Sequence, residues 1–74
     1  MKLKLGRYRH YKEKDYEVLF VAQHSETLEE YVVYRQLYTP FGYWIRPKKM
    51  FLESVLVNGK KTPRFRYLGP ASSG

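Results

Sequence analysis

Apolar and polar positions alternate in short runs along this 74-residue chain, and the period is two far more often than 3.6. Gly6 opens the first run, Arg7-Tyr8-Arg9-His10-Tyr11, and the polar cluster Lys12 to Asp15 then reads as a turn. Tyr16 to His24 is the richest strand signal, because Val18, Leu19, Phe20 and Val21 are all β-branched or bulky. Apolar residues fall on both of its faces, which predicts a central strand. Tyr31-Val32-Val33-Tyr34 repeats that composition and runs on to Tyr38, Thr39-Pro40-Phe41-Gly42 supplies turn residues, and Tyr43 to Arg46 forms a short fourth strand.

Pro47 ends that strand. The segment Pro47 to Glu53 is too short for a stable helix and suits one 3₁₀ turn. Val55-Leu56-Val57 and the residues after Lys60 flank Asn58-Gly59, whose tolerance of positive φ matches a type I′ hairpin. Pro63 has no N–H for a ladder bond, so the last strand is expected at an edge or with a bulge; there Arg64 and Arg66 share one side, facing water, and Phe65 and Tyr67 the other. Five to six short antiparallel strands with one 3₁₀ turn predict an all-β fold. A both-sided central strand in so small a sheet points to a small barrel or roll, and the order strand, proline, single turn, strand resembles the end of SH3-like barrels.

One domain accounts for residues 1–68, a size that buries only about 60% of its unfolded surface. Residues 69–74 have nothing to bury and are expected to be a disordered tail, native or an artificial extension. Cysteine is absent, so neither a disulfide nor a thiolate zinc site can support the core. Thirteen aromatic residues, eight of them tyrosine, must close it instead. The longest apolar run is far below the roughly 20 residues of a membrane span, and the basic start lacks an apolar signal region, so a cytoplasmic protein is expected.

Charge changes the picture when followed along the chain. The net +7 divides into +4 over residues 1–15, −3 over 16–45 and +6 over 46–74. Basic ends favour an anionic partner through counterion release, RNA or a ribonucleoprotein above all, although small soluble domains are often charged to this degree.

The polar knot His24-Ser25-Glu26-Thr27 raises the question of catalysis. A serine beside a histidine, with Glu26 or Glu30 as orienter, invites a nucleophile reading. Against it, adjacent strand residues point to opposite faces, and no glycine occurs between Gly6 and Gly42 to form an oxyanion loop. His10, His24 and Glu26 have no metal-ligand spacing, so neither a metal nor another cofactor is expected. Thr27 to Glu30 fits a capping box, which favours a hydrogen-bonded connector, open to a binding role. Trp44 and Arg46 lie two apart on one strand face, where a guanidinium can lean on the indole and Tyr34 or Tyr38 can flank them. Trp44, Arg46, Tyr34, Tyr38, Arg64 and Arg66 are therefore the candidate binding residues; the opposing reading places Trp44 in the core and Arg46 on a buried carboxylate or carbonyls.

Several strings also match a family in order: Gly6 to Lys12, Tyr16-Glu17-Val18, Ala22 to Glu29 with Val32-Val33-Tyr34, Trp44-Ile45-Arg46-Pro47 with Met50-Phe51, and Pro63-Arg64-Phe65. From Gly6 to Tyr67 the chain resembles the small bacterial family catalogued as domain of unknown function 1653. Members of that family carry glycine after the Tyr-Lys of the first turn, where Glu13 and Lys14 stand here. The resemblance implies a bacterial, cytoplasmic, SH3-like β-roll and no established activity. The functional expectation is thus a non-catalytic binding module for an anionic partner. A protein or peptide interaction domain is the alternative, and an enzyme using His24 and Ser25 comes third.

Overall fold

The computed structural model describes residues 3–71. Strands β1 (Gly6–His10), β2 (Asp15–Gln23), β3 (Glu30–Gln36) and β4 (Tyr43–Pro47) are followed by the single helical turn α1 (Lys48–Phe51). Then come β5 (Ser54–Val57), β6 (Lys60–Pro63) and β7 (Phe65–Gly69). All pairings are antiparallel. A five-stranded sheet has the order β4-β3-β2-β1-β7, and β5 and β6 form a separate hairpin. The expected all-β fold is therefore present, with seven strands where five to six were expected.

The extra strand arises at Arg64. Pro63 ends β6, Arg64 donates its backbone N–H to Glu53 O at 3.0 Å and accepts from Tyr11 N at 2.9 Å, and the chain crosses from the hairpin to the main sheet. Proline signalled an irregularity there, and the irregularity is a change of sheet. Between Pro47 and Glu53 the turn is α rather than 3₁₀: Leu52 N–H reaches back four residues to Lys48 O at 3.0 Å, and only the following bond, Glu53 N to Met50 O at 3.2 Å, has 3₁₀ spacing.

The central position of β2 holds, and a bulge explains its two apolar faces. Val18 pairs with Tyr34 and Phe20 with Val33, so two steps on β2 match one on β3 and Leu19 is the extra residue. Val18 consequently points into the core, whereas Phe20 is turned to the outer face and is 53% exposed. The core lies on the inner face, where Tyr8, Val18, Val32, Tyr34, Phe51 and Phe65 are buried together and Leu3, Tyr16 and Tyr67 pack around them. Phe51 of α1 stacks on Phe65 at 4.0 Å between centroids and meets Tyr8 and Tyr34 edge-on. Burying such a ring contributes roughly 1.5–3 kcal/mol, a large share for a small domain. α1 is thus held by its one buried aromatic, since four residues are far too few to be helical alone.

At the other end, Gly69 extends β7 one residue past the expected boundary and pairs with Arg7. Gly6 has φ +132°, and a Cβ there would lie 2.5 Å from Gly69 O and 2.9 Å from Pro70 Cα, so the chain after Leu68 packs closely on β1. Residues 72–74 of the expected tail lie outside the described residues. No helix among the described residues is long and apolar enough to cross a membrane.

Candidate functional site

Strand register decides which candidates meet. Trp44 is opposite Tyr34, Arg46 is opposite Val32, and both side chains belong to the inner face of the sheet. Trp44 is not core: it is 53% exposed, and its indole Nε1–H donates to Oε1 of the buried Gln36 at 2.6 Å. That bond orients the ring while leaving much of it open. Arg46 donates through Nε to the Tyr34 hydroxyl at 3.3 Å, and its guanidinium carbon lies 5.8 Å from the centroid of Phe65, so the cation leans on Phe65 and not on the Trp44 indole as expected.

Tyr38 joins from the loop after β3. Its hydroxyl is 2.6 Å from that of Tyr16, the two rings meet edge-on, and Lys14 Nζ sits 4.9 Å from the Tyr38 centroid. Tyr16 also meets Tyr34 and Phe65 edge-on, so one aromatic cluster connects Tyr38 to Arg46. Burial, then the Tyr38 hydrogen bond, pushes the Tyr16 phenol well above its ordinary value. Tyr16 therefore remains neutral at physiological pH, a hydrogen-bonding group and not a base.

His10 closes the cluster on the β1 side, packed at 4.9 Å on Phe65 and 4.5 Å on Tyr11. Its Nδ1 accepts the Lys12 backbone N–H at 3.2 Å. Burial holds its pKa below the ordinary value, and the positive charges of Arg46, Arg64 and Lys12 lower it further. The imidazole thus senses a local excess of positive charge.

That excess follows from the pairing of charges. Asp15 is bonded to Arg9, Glu17 to Arg35, Glu30 to Lys48 and Glu53 to Arg64. Exposed pairs of this kind contribute only about 0.2–1 kcal/mol each. Their larger consequence is to leave Arg7, Arg46 and Arg66 without a carboxylate among the described residues.

Arg64 and Arg66 do not both face water as alternation predicts. Arg66 is exposed on the outer face, opposite Arg9 of β1. Arg64 sits at the change of sheet, its side chain only 19% exposed and bonded to Glu53 at 3.2 Å. Arg9 and Arg66, with His10, Tyr11, Glu13 and Thr62, line a cleft of about 250 Å³ between the sheet and the β5–β6 hairpin.

The polar knot folds as a turn. His24 and Glu29 close it, with His24 N to Glu29 O and Leu28 N to His24 O each at 2.8 Å, and Leu28 takes φ +64°. His24 Nδ1 accepts the backbone N–H groups of Glu26 at 3.1 Å and Thr27 at 3.3 Å. Thr27 Oγ1 accepts from Glu29 N at 3.2 Å, two residues on, so the capping box is replaced by a hydroxyl turn. Glu30 belongs to β3 and bonds Lys48 at 3.2 Å, and no hydrogen bond joins Ser25 to His24. His24 Nδ1, where a nucleophilic arrangement would place an orienting carboxylate, is instead engaged by the backbone of its own turn.

Gln36 was missed by the sequence reading because an isolated glutamine in an apolar strand carries no signal. Here it is the buried hinge of the loop: its N–H donates to Gly42 O at 3.0 Å, and its side chain holds Trp44 and Tyr38 O.

A comparison with functionally curated proteins gives no match. The chain is similar to a protein from Bordetella bronchiseptica known from its crystal structure and belonging to DUF1653, with 35% identity over 99% of this chain and 96% of that one and a TM-score of 0.86. The family model for DUF1653, described as a protein of unknown function, matches residues 6–67. With almost the whole core matched in sequence and in fold, the chain belongs to the DUF1653 family.

Proposed function

We propose that this domain is a non-catalytic binding module for an anionic partner, single-stranded RNA or a ribonucleoprotein, in a bacterial cytoplasm. The observation that carries the reading is that a half-exposed, oriented Trp44 and an Arg46 without a carboxylate partner among the described residues stand on one face of β4. A base stacks on the open indole face, a contribution of about 1–3 kcal/mol, and Arg46 meets the adjoining phosphate. Lys14 over Tyr38 supplies a second cation beside an aromatic ring, and Arg64 adds to the local field. Neither His24 nor Ser25 has a part in it.

The test is binding of a short single-stranded RNA at several salt concentrations. Affinity should fall steeply with salt, and Arg46→Gln should flatten the log–log dependence by about 0.7, the share of a single neutralised phosphate. Trp44→Ala should weaken binding about tenfold or more without altering the slope. A slope near zero in the unmodified protein defeats the proposal.

A second reading, protein contact, rests on the outer face. There Phe20, Val33 and Ile45 are opposite one another across three strands. Ala22, Tyr31, Val33 and Ile45 line an open groove of about 380 Å³ beside them.

A further inference from the structure

The two edges of the main sheet are treated differently. Edge strand β7 carries exposed Arg66 and ends at Gly69-Pro70, devices that discourage pairing. Edge strand β4 carries Tyr43, Trp44 and Ile45 in succession, 70%, 53% and 67% exposed, with no charge among them. Its free backbone groups follow from alternation: Gln36 N–H bonds Gly42 O, so Gly42, Trp44 and Arg46 face β3, while Tyr43 and Ile45 turn their amides outward. Pro47, the next outward position, has no N–H to satisfy.

We infer that β4 pairs antiparallel with β4 of a second copy about a twofold axis at Ile45, the midpoint of the five-residue strand. In that register the two Ile45 residues exchange both backbone bonds, and each Tyr43 N–H donates to the Pro47 carbonyl of the other copy. No outward N–H of the strand is left over. The side chains agree with it. Tyr43 and Trp44 form the aromatic start of β4, and Arg46 stands near its end, followed by Lys48 and Lys49.

Antiparallel pairing lays each aromatic start on the other copy's cationic end, so that Trp44 faces Arg46 across the junction; parallel pairing would set arginine on arginine. On the outer face the row Phe20–Val33–Ile45 continues into its twofold image, and the two Ile45 side chains meet at the junction. Charge placement also permits it. β7 and β1, with Arg66, Arg9 and Arg7, lie at the far side of the sheet, and residues 16–45 carry the net negative segment. Two copies of a +7 chain thus meet away from Arg7, Arg9 and Arg66, with Arg46 the one charged residue on the paired strand. The occupant is a second copy because the strand complements itself in one register. This inference does not depend on RNA binding; if both hold, two Trp44–Arg46 sites adjoin on one ten-stranded surface.

The experiment is sedimentation equilibrium without nucleic acid, at concentrations up to about 0.5 mM, because dimerisation follows mass action. The natural sequence should approach twice the 8.9 kDa chain mass. Ile45→Lys, an exposed change that places a charge on the edge, should remain monomeric with an unchanged circular dichroism spectrum. In the natural sequence the Tyr43 and Ile45 amides should exchange at least tenfold more slowly at high than at low concentration. A monomer throughout, a dimer that Ile45→Lys leaves intact, or concentration-independent exchange at both amides overturns the inference.

Discussion

At the scale of single residues, His10 shows how packing converts local charge into a measurable property. It lies between Tyr11, Tyr16 and Phe65, with Arg46, Arg64 and Lys12 as the charges that act on it. Its folded pKa is below the ordinary 6.5, so between those two values the unfolded chain binds more protons than the folded one. The contribution of His10 to stability is therefore complete above pH 6.5 and is lost as pH falls through that value toward the folded one. Urea denaturation over this range should show stability rising with pH, and His10→Gln should remove that slope. The loss at still lower pH, from Asp15 held below 3.8 mainly by its bond to Arg9, should persist in the variant. Equal slopes in the two proteins would contradict the burial of a neutral imidazole.

Glu13 shows what one side chain conceals. It sits at φ +70° in the first turn, a conformation suited to glycine, at the place where the resemblance marks a departure from glycine. The sequence departs from the preferred residue while the backbone keeps the preferred turn.

At the scale of elements, the knot between β2 and β3 is a device of the backbone, and its members are unequal. His24→Ala removes the acceptor for two turn amides and should cost about 0.5–2 kcal/mol, the range of a lost helix cap. Ser25, exposed and without a side-chain hydrogen bond among the described residues, should tolerate alanine within about 0.5 kcal/mol. Equilibrium unfolding of both variants checks this; equal effects would show that the polar cluster acts as a unit.

Most strands were legible because period-two alternation and turn chemistry agreed in them. Asn58 and Gly59 do take positive φ, at 50° and 79°, and Thr39 to Gly42 does turn the chain. What stayed hidden was register. The bulge at Leu19 reverses the face of Phe20, and at the change of sheet Arg64 is largely covered and bonded to Glu53 while Arg66 stays exposed. Both depend on pairing with distant strands, which no local pattern contains. Trp44, Arg46 and Tyr34 were legible as a group because two residues on one strand and their cross-strand neighbour must share a face. Gln36 was not, because its role comes from the loop that folds back over it.

At the scale of the whole molecule, the sheet separates two kinds of surface. Arg7, Arg9 and Arg66 gather on β1 and β7, while the exposed Tyr43, Trp44 and Ile45 gather on β4 beside Arg46. Trp44 and Arg46 stand where an aromatic surface meets an uncompensated charge, which makes them the centre of the proposed interface. The most direct measurement is a heteronuclear titration of isotope-labelled protein with single-stranded RNA, following the Trp44 indole N–H and the Arg46 guanidinium. Saturable shifts at both, larger than those of Arg66 and His24, are the predicted result. Shifts confined to the outer face or to the His24 turn would contradict it.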